Sequence, residues 1–107
     1  MKVIRKKAEK YGITMESTNI VRPLFVPAES ELIKKLSNVY EAQTGEKTSL
    51  IGIGGGTYAK SFPDMVAFGP SFPGEDHNIH QPNEHISVDS LIRGIKIFAS
   101  AIFELAN

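Results

Sequence analysis

The residues of this chain with the most chemical potential sit together. Between Gly69 and Ile86 the sequence reads GPSFPGEDHNIHQPNEHI, which holds all three histidines, His77, His80 and His85, beside Glu75, Asp76 and Glu84. Imidazoles and carboxylates are the groups that bind a hard or borderline metal ion, and they must converge to about 2 Å from it. The His77-x-x-His80 spacing in a loop is compatible with chelation, but it lacks the helical His-Glu-x-x-His frame that would specify a metal site by itself. A polar surface connection rich in histidine is the competing reading.

A second stretch, GIGGGT from Gly52 to Thr57, follows an apolar run and has the look of a phosphate loop. The resemblance ends at Gly56, which is followed by Thr57 and Tyr58 where a phosphate loop needs Lys and Ser or Thr, and a dinucleotide fingerprint needs glycine where Thr57 stands. What remains is backbone that a ligand can approach closely, with a Thr hydroxyl beside it, or simply a tight turn. The Gly-x-Ser-x-Gly elbow of a serine hydrolase does not occur, and Ser71 reads as a turn residue. Cysteine is absent, which removes disulfides, thiolate catalysis and Cys-based zinc sites, so any metal must be held by His, Asp or Glu.

The elements that would position these residues follow from periodicity. VIRKKAEKYG predicts a short helix ending at Gly12, with Arg5, Lys6 and Lys7 on a solvated face, and ITMESTNIV predicts a strand running to about Val21. Two prolines in RPLFVP interrupt the pattern and mark a boundary. Leu32, Ile33, Leu36, Val39 and Tyr40 recur at helical spacing and stop at Gly45. Leu50 to Ile53 and DMVAFGP predict two short buried strands. Ser87 caps a final helix with Asp89 in its first turn, and Val88, Leu91, Ile92, Ile95, Ala99, Ile102 and Phe103 form its expected core stripe. The order gives an α/β fold.

The chain is 107 residues long, 41% hydrophobic and 22% charged, with twelve basic residues against twelve acidic ones, which fits a soluble globular domain and offers no footprint for nucleic acid. No apolar run approaches the roughly 20 residues that span a bilayer, and a cytoplasmic protein without membrane partners is expected.

Taken together, GGGTYAK, VAFGPSFPG, HQPNE and the closing amphipathic helix resemble the end of the bacterial Xaa-His dipeptidases, the PepV-like branch of the zinc aminoacylase/carboxypeptidase peptidase superfamily. RPLFVPAESELIKKLSNVYEAQTG resembles the segment just before it, so the likeness covers nearly the whole chain. The resemblance implies that residues 1–21 are the last helix and strand of a lid (dimerisation-like) domain. Residues 22–107 would be the C-terminal part of a catalytic domain of short buried strands with flanking helices.

It also implies that His80, the histidine of HQPNE, is a zinc ligand and that Gly55, Gly56 and Thr57 contact substrate, while His77 and His85 are surface histidines. Asn83 or Glu84 would hold the second ring nitrogen of His80. The family's chemistry is hydrolysis of dipeptides by two zinc ions that activate a water, with a glutamate as general base.

Two departures accompany the likeness. Lys60 stands where arginine is common, and the His-x-Asp, Glu-Glu and bridging aspartate motifs are not found in these residues. The expectation is therefore a C-terminal fragment that is inactive alone, with no catalytic residue of its own and with exposed apolar surface that drives self-association. The rivals are a small non-enzymatic module that binds a ligand or partner, and a subunit that completes a split enzyme.

Overall fold

The computed structural model describes residues 2–16, 22–69 and 71–107. Helix α1 runs Lys2–Glu9, α2 Glu31–Thr44 and α3 Val88–Ala106, with one 3-10 turn at Tyr58–Ser61. No strand occurs among the described residues, so the expected α/β fold is corrected to an all-helical one. Leu50, Ile51 and Ile53 are more than half exposed, and Val66 and Phe68 of the other expected strand instead pack against the helices. The reason is physical: an apolar run becomes a strand only where a neighbouring segment takes its backbone N–H and C=O groups. None among the described residues does so. Of the strand expected from Ile13 to Val21, residues 13–16 are irregular and 17–21 lie outside the described residues.

Both long helices start and stop where local chemistry dictates. The Ser30 hydroxyl accepts from the Ile33 N–H at 3.3 Å, and Gly45 closes α2 in the left-handed conformation with its N–H on the Glu41 carbonyl at 2.9 Å. Ser87 caps α3 by accepting from the Ser90 N–H at 3.0 Å. Helix α1 ends through the left-handed Gly12 and packs against neither of the others.

The core lies between α2 and α3. Leu36 and Val39 meet Ile97 and Ala101, and Phe72 from the long loop completes the cluster. The buried positions of α3 are Ser90, Gly94, Ile97 and Ala101, not the expected stripe. At about 100° per residue, that stripe lies on the opposite side of the helix, and Val88, Ile95, Ile102 and Phe103 are 57–72% exposed. Apolar residues cover both sides of α3, so periodicity alone could not choose the face; the small residues Ser90, Gly94 and Ala101 mark the one that meets α2. The radius of gyration, 18.8 Å, exceeds the roughly 13 Å of a compact domain this size.

Candidate functional site: the loop between Ser71 and Ser87

The loop is built from three consecutive-type turns. Glu75 N–H bonds the Phe72 carbonyl at 3.2 Å, Gln81 N–H that of Asn78 at 2.9 Å, and Glu84 N–H that of Gln81 at 3.2 Å. In each, the third residue has positive φ: Gly74 (83°), His80 (59°) and Asn83 (64°). With Pro73 and Pro82 fixing the second position of the outer two, this is type II geometry. The His85 N–H on the His77 carbonyl at 3.1 Å closes the arc, and Asp76 accepts from the Asn78 N–H at 3.0 Å.

His80 therefore sits in a left-handed conformation that non-glycine residues seldom adopt, although Asn and His enter it more readily than most. Its ring is exposed, and its nitrogens make no hydrogen bond among the described residues. The expected support of that ring takes another form. Glu84 Oε2 accepts the His80 backbone N–H at 3.3 Å, and the Asn83 carbonyl faces His85 Nδ1 at 2.9 Å. Glu84 holds the loop backbone and the Asn83 carbonyl meets the His85 ring, and neither touches the His80 imidazole.

His77 is not the surface histidine it was expected to be. It is only 9% exposed, its ring edge-on to that of His85, and its Nε2 lies 3.1 Å from Glu75 Oε2 without the alignment of a hydrogen bond. His85 is exposed. Glu75 is the centre of the arrangement: one carboxylate oxygen accepts from the Phe72 N–H at 3.2 Å and the other from the Ser90 hydroxyl, which itself accepts from the Ser87 hydroxyl at 2.7 Å. The Ser90 hydrogen bond foremost, then the Phe72 N–H and the nearby His77, hold the Glu75 carboxyl below the usual glutamate range, against partial desolvation. The Arg93 guanidinium caps the Phe72 ring at 4.0 Å from its centroid.

Sequence reasoning placed Glu75 only among candidate metal ligands and did not reach Ser90. The spacing Ser87-x-x-Ser90 at a helix start was the available signal.

Gly55, Gly56 and Thr57 lie in an exposed segment, and no hydrogen bond joins it to the histidine loop among the described residues. The Lys60 ammonium lies near Gly56, 3.5 Å from where a Cβ would stand.

Among the described residues no group of three or more His, Asp and Glu side chains could hold a metal ion. The donors among the described residues therefore do not fit a two-metal centre.

The match of residues 6–104 to the profile of peptidase family M20/M25/M40 covers almost the whole chain. The chain belongs to that family. Among curated relatives of this M20/M25/M40 chain, the "Putative dipeptidase YtjP" of Bacillus subtilis (strain 168) is 51% identical over 86 residues, 80% of this chain and 19% of its own length. The "Beta-Ala-Xaa dipeptidase" of Lactobacillus delbrueckii subsp. lactis is 35% identical over 107 residues, 98% of this chain and 23% of its own length. A Staphylococcus epidermidis protein named "Putative dipeptidase" is 36% identical over 101 residues. The chain spans about a fifth of the length of these relatives. No solved structure matches it. Among the described residues no helix is long and apolar enough to cross a membrane.

Proposed function

We propose that this chain works as part of a zinc-dependent dipeptidase, to which it brings one metal ligand, His80, and a substrate-facing turn, Gly55, Gly56 and Thr57. The observation that carries the reading is the loop itself: an exposed imidazole whose nitrogens make no hydrogen bond among the described residues, on a backbone fixed by two flanking turns, within a chain of a peptidase family. The names of the relatives supply the substrate class, and dipeptides, among them those beginning with β-alanine, are the compounds to assay. Bound zinc would polarise a peptide carbonyl and activate water. What this chain's residues contribute is narrower: His80 offers a ring nitrogen, the glycine backbone offers N–H groups, and Thr57 offers its hydroxyl to a peptide.

By itself the chain is inactive in this reading, because one imidazole cannot hold two zinc ions and no group of three or more metal-binding side chains occurs among the described residues. A cytoplasmic setting is part of the proposal, with no nucleic-acid or membrane partner. Self-association is part of it too, because α3 exposes Val88, Leu91, Ile92, Ile95, Ile102 and Phe103 along one side. Light scattering at high concentration tests that, and a strictly monomeric peak counts against it. Zinc content and dipeptide hydrolysis, measured together on the purified chain with His80→Ala as control, test the rest. Substoichiometric zinc without turnover is expected; full zinc loading with turnover lost in His80→Ala would overturn inactivity while keeping the ligand.

A further inference from the structure

We propose that Glu75 is a positioning residue whose carboxylate fastens the His80 loop to the first turn of α3, setting the loop's conformation separately from the packing of α2 on α3. The inference rests on the reading of His80 only for its purpose, and its geometry stands alone.

Three observations converge on it. Glu75 adds a polar tie between the Phe72 N–H at the loop's entry, whose ring already packs on α3, and the Ser90 hydroxyl in the first turn of that helix. Ser90 is 4% exposed, and its hydroxyl receives a proton donor from Ser87 while giving its own to Glu75, so a chain of hydrogen bonds runs from the helix cap to the carboxylate. Such a chain polarises each link and favours one arrangement. The buried His77 ring lies behind the carboxylate at 3.1 Å, and its carbonyl closes the arc onto His85.

The second turn, with His80 in its left-handed third position, is suspended between these ends. A left-handed residue without glycine's freedom persists only where its surroundings over-determine it. Within the arc the Glu84 carboxylate and the turn hydrogen bonds do part of this. They orient the arc's residues relative to one another. They do not attach the arc to the helix; the Glu75 carboxylate does so by a hydrogen bond to Ser90, beside the packing of the Phe72 ring.

The test is amide hydrogen exchange by NMR on the whole chain, comparing wild type with Glu75→Ala and Glu75→Gln. The amides of Gln81, Glu84 and His85 report the loop, and those of Leu36, Val39 and Ile97 report the helix pair. Losing hydrogen bonds to a charged acceptor is expected to speed loop exchange about tenfold or more in Glu75→Ala while the helix amides stay within about twofold. Glu75→Gln keeps one acceptor and gives an intermediate rise, which a purely volumetric role would not produce.

Loop amides that do not respond, or loop and helix amides that rise together, overturn the proposal. In the second case Glu75 serves overall stability and not loop position. Adding zinc to the wild-type chain while following the His80 ring resonances tests the ligand reading independently. A silent His80 ring with a responsive loop would remove the ligand and keep the latch.

Discussion

The loop from Ser71 to His85 and the run from Leu50 to Thr57, the two segments proposed to serve a peptidase site, differ in how they are held. The first carries its own constraints: prolines and left-handed residues shape its turns, and acidic side chains take up its backbone N–H groups. Among the described residues the second is hydrogen-bonded only at its edges. Thr48 bonds Glu41 and the Ser37 carbonyl of α2, and the Thr57 carbonyl accepts from the Lys60 N–H at 3.1 Å. Polar loop residues can satisfy a backbone locally, whereas an apolar and glycine-rich run depends on another segment to do it.

The largest effect is expected where the histidine loop enters the core. Phe72→Ala should cost about 3 kcal/mol, read as a lower urea midpoint, because Phe72 is buried against Leu36, Val39, Ile97 and Ala101 and capped by Arg93. An unchanged midpoint would erase the contrast between the two regions.

Ser90→Ala should cost about 1.5–3 kcal/mol, the scale of a hydrogen bond to a charged group, with the loss concentrated in loop protection. Its hydroxyl faces the Glu75 carboxylate from a buried position.

Acid should act on the same loop. The Glu75 carboxyl is depressed in the folded chain, so its contribution is fully present above the ordinary glutamate range and fades as pH falls through the lower folded value. Protection factors of the Glu84 and His85 amides are expected to fall across that acidic window before those of α2. Equal loss in both would break the distinction.

The smallest effect belongs to the glycine run. Gly55→Ala should change stability by less than about 0.5 kcal/mol, since nothing lies within 4 Å of an added Cβ and its φ is not left-handed. A larger cost would show that the run is held more tightly than its hydrogen bonds indicate.

Much of the local structure was legible in advance. Gly45 and Ser87 marked helix ends because caps depend on residues three or four apart, whereas the Ser30 cap was not read from the sequence. The candidate ligand His80 and the glycine turn came from resemblance and not from periodicity. The face of α3 was misassigned because both of its sides are apolar, so only the neighbour could choose between them. His77 was misread because its burial depends on the loop folding back toward Glu75 and His85.

What the sequence determined by itself is therefore the set of short-range decisions: helix ends, the proline-led turns, the absence of thiol chemistry and the family to which the motifs belong. Which side of α3 is covered, whether an apolar run pairs as a strand, and which carboxylate holds the histidine loop were decided only by tertiary structure. Each of these depends on a partner distant in sequence, Ser90 for Glu75 and α2 for α3, and the free energy of such a contact exists only once the chain has brought the two together.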